Sequence, residues 1–169
     1  IVGRSKLASL NGSKNAHLED SRGKLYLDFL RIAKYLKPKA ILIENVPAML
    51  SYGDSLLPEK IAEKLVRIGY SCNYTILNAA SYGVPQYRDR IFILAIRKDL
   101  NFPPTFPNPT HQIPEIRKLG KKQIVNLTQL NETKYAIEPP NDSNPQLPKA
   151  ITVAEALSDL PFISTVSGY

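Results

Sequence analysis

A carboxylate and an amide follow directly on an apolar run of the sequence, where a buried strand would end. Residues 40–43 read Ala-Ile-Leu-Ile, and Glu44 and Asn45 come next. In open α/β sheets, ligands bind beyond the carboxyl ends of the strands. A carboxylate there can accept hydrogen bonds from, or share a proton with, an N–C–N edge such as the one that cytosine presents. The alternative is that Glu44 is a helix cap or a turn residue without a ligand.

Two arginines and a glutamine form a second group of chemical interest. The sequence Gln-Tyr-Arg-Asp-Arg lies between a Gly/Pro loop and another apolar run. Alternate residues of an extended segment share a face, so Gln86, Arg88 and Arg90 are predicted to project together. Two guanidinium groups on one side can hold a phosphate, a base carbonyl or the carboxylate of Glu44 itself. The alternative is a solvated charged edge in which Asp89 pairs with one of the arginines.

The single cysteine is a third candidate, as a nucleophile. Cys72 lies between Ser71 and Asn73, with no histidine or Gly-rich turn nearby to lower the pKa of its thiol. A buried or half-buried strand position is therefore the favoured interpretation. One cysteine forms no internal disulfide, and no Cys/His spacing indicates zinc, so we expect no metal site. His17 and His111 are isolated in the sequence.

The elements that must position these groups begin with an amphipathic helix. From Ser21 and Arg22 onward, apolar residues recur at three- and four-residue steps and predict one buried stripe. The stripe consists of Leu25, Phe29, Ile32, Ala33 and Leu36. Lys37-Pro38 ends the helix, because proline disfavours helical backbone at the preceding residue. The run 40–43 has no polar alternation and predicts a strand covered on both faces, as in a parallel sheet.

The following segments complete an α/β arrangement. A helix is predicted over 55–68, with Gly69 at its C-terminal end, and strands are predicted over 70–77 and 91–96. The link between these strands is too short for a crossover helix, so the pair is predicted to be antiparallel. The order helix, strand, helix, strand, strand is typical of part of an open α/β sheet.

The composition changes after the last of these strands, which predicts two units, 1–100 and 101–169. Four of the 14 prolines lie in the first unit and ten in the second. Much of the second unit is therefore predicted to be extended, surface-running chain. A helical pattern returns over 151–160, where Thr152 and Glu155 have the spacing of a capping box.

Composition also limits the class of protein. Lys+Arg 22 against Asp+Glu 15 give a net charge of +7, which favours an anionic partner such as nucleic acid. With 43% hydrophobic and 22% charged residues, the chain falls in the globular range. No apolar run approaches the roughly 20 residues of a membrane span, and no signal-peptide pattern opens the chain. We expect no membrane association and an intracellular location, cytoplasmic in a bacterium.

Four blocks of the sequence carry a family resemblance. They are 20–25, Asp-Ser-Arg-Gly-Lys-Leu; 37–46, Lys-Pro-Lys-Ala-Ile-Leu-Ile-Glu-Asn-Val; 78–90, Asn-Ala-Ala-Ser-Tyr-Gly-Val-Pro-Gln-Tyr-Arg-Asp-Arg; and 153–161, Val-Ala-Glu-Ala-Leu-Ser-Asp-Leu-Pro. In order and spacing, the first three resemble the D-x-R-G-x-L, P-x-x-x-x-x-E-N-V and N-A-x-x-Y-G-V-P-Q-x-R-x-R motifs of DNA cytosine-5 methyltransferases. The fourth is similar to the helix before the target-recognition region of that family.

The resemblance implies a fold and a reaction. The expected fold is α/β: the C-terminal half of a Rossmann-like sheet of S-adenosylmethionine-dependent methyltransferases, with an antiparallel strand pair at its end. The implied reaction transfers a methyl group from S-adenosylmethionine to C5 of cytosine in double-stranded DNA, as in restriction–modification systems.

The resemblance also implies roles for single residues. A flipped cytosine is attacked at C6 by a cysteine thiolate, while Glu44 would hold or protonate N3 and contact the exocyclic amine. Arg90 would bind the O2 carbonyl, and Arg88 would brace the site or the DNA backbone. The other implied substrate-binding positions are Asn45, Val46, Pro47 and Gln86. Of these, Asn45 and Gln86 would act mainly as structural supports.

The sequence departs from the family pattern in three respects. The Pro-Cys nucleophile and the Gly-rich cofactor loop of the family precede the region that 1–24 matches, and the target-recognition domain lies beyond Tyr169. Cys72 does not match the nucleophile position, and the cofactor-binding residues stay unknown. We therefore expect the isolated chain to be inactive and poorly stable, or completed by a complementary methyltransferase chain. The alternative is a non-catalytic DNA-binding or regulatory subunit with the same fold.

Overall fold

A computed structural model of the chain describes residues 25–51, 56–113 and 133–161, together with Thr128. Residues 1–24, which include His17 and the expected helix start at Ser21, lie outside that part of the chain. The helices are α1 (Leu25–Leu36), α2 (Leu57–Arg67) and the short α3 (Val153–Ala156). The strands are β1 (Ala40–Asn45), β2 (Tyr70–Asn78) and β3 (Asp89–Arg97), and 3-10 helices cover Pro47–Ser51, Ala79–Tyr82 and Lys98–Leu100.

The three strands form one sheet in the order β1-β3-β2, and β3 is antiparallel to both neighbours. β1 and β2 therefore run in the same direction, and their carboxyl ends meet the start of β3 at one edge. The register pairs Asn45 with Ile91 and Asn78 with Asp89. The α/β class and the antiparallel pair β2–β3 are confirmed, and the arrangement is that of part of a Rossmann-like sheet.

One face of the sheet is buried against α2. Ile61 and Leu65 of this helix are fully buried, as are Tyr74 of β2 and Ile93 of β3. The helix that the sequence predicts over 55–68 therefore packs on the sheet through Ile61 and Leu65. Gly69 follows the helix with a φ of 101°. Glycine adopts this positive φ without strain, so it suits the position at which the chain leaves the helix.

Helix α1 buries a different side from the one that its sequence predicts. Only Ala33 of the predicted stripe is buried, together with Leu30, which is not part of the stripe. The exposed stripe residues are Leu25, Phe29, Ile32 and Leu36. Apolar residues lie on two sides of α1, and periodicity does not tell which side is covered. Leu30 and Ala33 are covered because they belong to the same core cluster as Ile41 and Ile61.

Within the described residues, β1 is an edge strand of the sheet and is covered on one face. Ile41 is buried, whereas Leu42 is 62% exposed, because successive side chains point to opposite faces and only one face packs on helices. Within the described ranges, β3 is the only strand that pairs with β1, so its outer edge lacks a strand partner. The prediction that this apolar run is covered on both faces is therefore wrong for the described residues, in which β1 is an apolar edge strand.

The described chain after β3 is extended and returns to the outer edge of β2. The Tyr74 N–H donates to the carbonyl of Tyr135 (2.9 Å), and the Ile137 N–H donates to the carbonyl of Tyr74 (3.0 Å). Residues 101–113 and 133–152 form no helix or strand of the named elements. Ile113 and Asp142 are buried, however, so this segment does not run only over the surface.

The predicted capping box is present at α3. Thr152 Oγ1 accepts from the Glu155 N–H (3.1 Å), and the Thr152 N–H donates to the Glu155 carboxylate (2.7 Å). The bonds that the Thr152 N–H (2.7 Å) and hydroxyl (2.8 Å) donate to the carboxylate hold the pKa of Glu155 below its ordinary value. The helix covers only Val153–Ala156 of the predicted 151–160.

In the part of the chain that the structure describes, no helix is long and apolar enough to cross a membrane.

We expect Leu65→Ala to destabilise the chain far more than Ile32→Ala. Leu65 is fully buried, so its truncation leaves a cavity and costs about 2–5 kcal/mol. Ile32 is 53% exposed, so its truncation should change the free energy of unfolding by less than about 1 kcal/mol. Urea denaturation followed by circular dichroism measures both. Equal destabilisation would show that the α1 stripe is covered in solution.

Candidate active site

The carboxyl end of β1 and the start of β3 bring together two groups that the sequence predicts separately. Glu44 pairs with Phe92 in the register, and Arg90 lies two residues before Phe92 on the same face of β3. Arg90 Nε lies 2.7 Å from Glu44 Oε1, with the arginine side chain 19% exposed and the carboxylate side chain 50% exposed. Of the interactions considered for the arginines, contact with Glu44 itself is the one that the structure shows.

Asn78 joins the two strands that lead into and out of this edge. Its Nδ2 donates to the Asp89 carboxylate (2.8 Å), and its Oδ1 accepts from the Ala80 N–H (2.9 Å). Asn78 is fully buried and caps the 3-10 helix Ala79–Tyr82. The Asp89 carboxylate accepts from Asn78, and Arg90 Nη1 donates to the backbone carbonyl of Asp89 (2.8 Å), not to its carboxylate. These contacts do not form the Asp89–arginine ion pair of the alternative.

The segment 79–88 between β2 and β3, here called the site loop, contains two tight turns. Gly83 has a φ of 82°, and a Cβ at this position would lie 2.9 Å from Cε1 of His111. The Gln86 N–H donates to the carbonyl of Val84 (2.7 Å), which forms a γ-turn around the preceding proline. These turns direct the chain back toward β3.

The three polar residues predicted to share a face, Gln86, Arg88 and Arg90, differ in exposure and in their contacts. Gln86 and Arg88 are exposed, whereas Arg90 is mostly buried and bonds to Glu44. The Arg88 carbonyl accepts from the Ala79 N–H (3.0 Å) and closes the base of the site loop. Its guanidinium makes no ion pair with a described residue. Arg90 differs from the other two because it lies within β3, where Glu44 is in reach.

The predicted substrate-binding residues after β1 continue from the same edge. Asn45 Oδ1 accepts from the Val46 N–H (2.8 Å), which stabilises the turn that leaves the strand. Val46 is exposed, and Pro47 begins the 3-10 helix that follows. Asn45 thus has a supporting contact, and Glu44, Asn45 and Val46 are all exposed at this turn.

A cleft of about 670 Å³ adjoins the site loop. Its lining includes Gln86 and Tyr87 from the loop and residues 149–153 from the segment that leads into α3. This volume is in the range of small-ligand pockets. Lys149 is the charged residue of the lining, so the cleft extends the basic character of the exposed side of the loop.

Cys72 lies away from the sheet edge. It pairs with Ala95 in the interior of the β2–β3 register and is 5% exposed, which confirms the prediction of a buried strand position. Burial, with a smaller contribution from the charge of Glu59, raises the pKa of the thiol from 9.0 to about 12. A protonated, buried thiol is a poor nucleophile. No cluster of three or more potential metal-ligating residues occurs within the described ranges.

Three buried polar residues near the site have no role in the sequence interpretation. Asn78 has a recognisable signal, because it is a polar residue that directly follows the apolar pair Ile76-Leu77 at the end of β2. Ser81 and Asp142 have none: the Ser81 hydroxyl donates to the Asp142 carboxylate (2.8 Å) across 61 residues of chain. Only the tertiary structure brings these two side chains together.

The chain resembles known proteins along most of its length. Residues 8–156 match the profile of the family described as C-5 cytosine-specific DNA methylase. The chain belongs to this family. It is 39% identical over 164 residues to M.OihORF3336P of Oceanobacillus iheyensis, whose name assigns it provisionally to the type II methyltransferases. That match covers 95% of this chain and 35% of the relative.

Two further members of the methylase family are similar over shorter or more distant matches. The chain is 38% identical over 102 residues to the type II methyltransferase M.HhaI of Haemophilus parahaemolyticus, covering 60% of this chain and 31% of that protein. It is 32% identical over 160 residues to the type II methyltransferase M.AquIA of Picosynechococcus sp., covering 86% of this chain and 61% of that protein. The chain therefore spans about a third of the length of M.OihORF3336P and of M.HhaI.

We expect Cys72 to resist thiol reagents while this methylase segment is folded. With a pKa of about 12 and little exposure, the thiol should react with Ellman's reagent in mildly alkaline buffer only after denaturant is added. Because the folded-state pKa is raised, the neutral thiol contributes stability that is fully present below pH 9.0 and lost as the pH rises toward 12. Rapid labelling of the native chain would contradict the buried position.

Proposed function

We propose that this chain supplies the base-binding side of a DNA cytosine-5 methyltransferase, which transfers a methyl group from S-adenosylmethionine to C5 of cytosine. The observation that carries the proposal is the Glu44–Arg90 pair, 2.7 Å apart at the carboxyl edge of β1. Membership of the methylase family supports the reaction class. Double-stranded DNA as substrate fits the net charge of +7 and implies an intracellular location.

Glu44 and Arg90 have complementary groups for the polar edge of cytosine. A carboxyl group can share a proton with ring N3 and accept from the exocyclic amine, whereas a guanidinium has only donors and suits the O2 carbonyl. Nucleophilic attack at C6 moves negative charge onto N3 and O2. Groups fixed at these atoms stabilise that charge more in the transition state than in the ground state, which lowers the barrier.

The ion pair places both side chains before a base arrives. Half of the Glu44 side chain is exposed, so an extruded base can reach it. Arg90 is held from two sides, by the Glu44 carboxylate (2.7 Å) and by the backbone carbonyl of Asp89 (2.8 Å). A guanidinium fixed in this way loses little further conformational entropy when it binds a base carbonyl.

The exposed residues around the pair are proposed to contact DNA. Arg88 presents an unpaired guanidinium, judged on the described residues, and would brace the DNA backbone. Gln86, Val46 and Pro47 would lie against the substrate, with Asn45 as the support of the turn after β1. The unit 101–169 is proposed to lead toward a target-recognition region.

The described residues do not form a cradle for S-adenosylmethionine. Gly83 is the turn glycine at this edge, and the ring of His111 fills the space beside it. The turn after β1 has no glycine, and its first N–H is already bonded to Asn45 Oδ1 (2.8 Å). We therefore infer that the cofactor and the cysteine nucleophile are provided by other parts of the enzyme, and that this chain alone is inactive.

Methyl transfer from labelled S-adenosylmethionine to DNA tests the role of the pair, with this chain assayed alone and combined with a chain that carries the Pro-Cys segment. In the combined enzyme, Glu44→Gln and Arg90→Ala should each lower the rate by about 10²–10³, because each removes an electrostatic contact to the reacting base. DNA affinity should change little in either variant. Full turnover by both variants would refute the assignment.

Two matched controls separate this effect from a general loss of charge. Arg97 lies at the opposite end of β3 and pairs with Asp99 (2.7 Å), and Glu63 pairs with Arg67 on the surface of α2 (2.6 Å). Arg97→Ala and Glu63→Gln should therefore leave methyl transfer unchanged. If the combined enzyme binds DNA but transfers no methyl group even without substitutions, the alternative of a non-catalytic DNA-binding subunit gains support.

We also propose that a complementary methyltransferase chain or segment covers the exposed apolar residues of α1 and the free edge of β1. The exposed stripe of α1 is long and regular, and soluble proteins seldom leave such surfaces uncovered. Leu42 and the outer edge of β1 add an apolar strand without a partner in the described ranges. A neighbouring strand and helix would remove both features from water.

The double variant Phe29→Ser, Ile32→Ser should weaken association with the complementary chain by more than about tenfold, because apolar anchors dominate most interfaces. Both residues are exposed, so the fold of this chain should persist. Arg31→Ser is the control, since Arg31 is an exposed residue of the same helix. Isothermal titration calorimetry measures the affinities. Unchanged affinity in the double variant would place the interface elsewhere.

A further inference from the structure

We propose that the buried Ser81–Asp142 hydrogen bond is a clamp that holds the site loop in position, and that Asp142 is thereby a positioning residue for methyl transfer. The inference rests on the proposed function of the Glu44–Arg90 site, and it adds residues that neither motif nor family match assigns. The clamp acts on the segment 79–88, which joins β2 to the strand that carries Arg90.

The bond itself is short and shielded from water. The Ser81 hydroxyl lies 2.8 Å from Asp142 Oδ2, and both residues are almost completely buried. Removing a carboxylate from water is costly unless hydrogen bonds compensate for the lost solvation. A hydrogen bond to a charged acceptor in such surroundings is stronger than one between neutral groups. The two segments are therefore joined firmly at this point.

Backbone hydrogen bonds reinforce the same attachment. The Ser81 carbonyl accepts from the N–H groups of Thr110 (2.9 Å) and His111 (3.0 Å). The Asp142 carbonyl accepts from the Ile113 N–H (3.2 Å). Two distant stretches of the extended chain thus converge on Ser81, one through its carbonyl and the other through its hydroxyl.

The next residues of the site loop are held by the same extended chain. The Tyr82 hydroxyl donates to the carbonyl of Pro107 (2.9 Å), and burial raises the pKa of this phenol to about 12. The ring of His111 packs against the open side of Gly83. Three consecutive residues, 81–83, are therefore fixed from outside the loop.

The remainder of the loop depends on this attachment. After Gly83, the γ-turn at Gln86 and the bond from the Ala79 N–H to the Arg88 carbonyl are local contacts, and Gln86 and Arg88 themselves are exposed. The ends of the loop are held by strand pairing, and the contacts of residues 81–83 with the extended chain add the attachment that holds its middle part relative to Glu44. A displacement of about 1 Å at an active site can cost roughly 10²-fold in rate.

Thr75 provides a matched control. Like Ser81, it is a fully buried residue whose hydroxyl bonds to the extended chain, in this case to the carbonyl of Ile137 (2.9 Å). It lies within β2, outside the site loop. Thr75→Val therefore removes a comparable tether of the same chain without touching the loop.

Hydrogen exchange on the full chain is the first test, because it needs no catalysis. In Ser81→Ala and Asp142→Ala, amides of 82–88 should exchange at least about tenfold faster, since the loop loses its buried anchor. Asp142→Asn keeps an oxygen that accepts from Ser81 but loses the charge, so its exchange should be slower than that of Asp142→Ala and closer to that of the unsubstituted chain. Thr75→Val should leave 82–88 unchanged. Equal exchange of 82–88 in all variants would refute the clamp.

Methyl transfer by the combined enzyme is the second test. Ser81→Ala and Asp142→Ala should lower kcat by roughly 10- to 100-fold, with the double variant no slower than the worse single one, because both remove the same contact. Asp142→Asn should recover most of the rate that Asp142→Ala loses, because its amide oxygen still accepts from Ser81, and Thr75→Val should retain the full rate. If the rate losses of the two single variants add up in the double variant, or if Thr75→Val loses as much rate, the positioning role of Asp142 is overturned. Asp142 would then contribute only to the stability of the fold.

The two proposals fail in distinguishable ways. If Glu44→Gln and Arg90→Ala retain full turnover, the base-binding role is wrong, whatever the clamp variants do. If those two variants are inactive but Ser81→Ala and Asp142→Ala turn over normally, the base-binding role stands and the positioning role of Asp142 is overturned.

Discussion

The position of β3 between β1 and β2 is the constraint on which the site depends. Because β3 is antiparallel to both neighbours, its first residues lie at the carboxyl ends of both. That register places Arg90 on the same face as Glu44 and within 2.7 Å of it. A slip of one residue would turn Arg90 to the face that packs on α2 and remove the ion pair. The chemistry of the edge is therefore a consequence of strand pairing.

The site loop shows how a short connection can be fixed by distant chain. Asn78 joins its two ends, so the closure of the loop is local and costs little chain entropy. Its placement in space, however, uses contacts from 107–113 and from Asp142. The proline-rich extended chain thus contributes to the site without forming regular elements. Of the four buried polar residues in the described ranges, Asn78, Ser81 and Asp142 lie in or contact the ends and middle of the loop, and Thr75 lies within β2.

Burial is unevenly distributed around the sheet. The face toward α2 is closed, and Cys72 and Tyr74 lie within it, so that burial raises the pKa of both. Toward β1 the apolar residues of α1 and Leu42 are exposed, and the strand edge has no partner among the described residues. Within the described residues, the face of the sheet toward α2 is a closed core, whereas α1 and the outer side of β1 expose apolar residues.

The sequence alone determined the local elements and the chemical groups. Apolar runs, Lys37-Pro38, Gly69 and the capping box at Thr152 mark the elements, because propensity and capping act over a few residues. Only the tertiary structure decided which side of α1 is buried, that Arg90 and not Arg88 meets Glu44, and that Asp142 reaches Ser81. These outcomes depend on contacts between residues far apart in the chain, and periodicity carries no information about what lies opposite a given face.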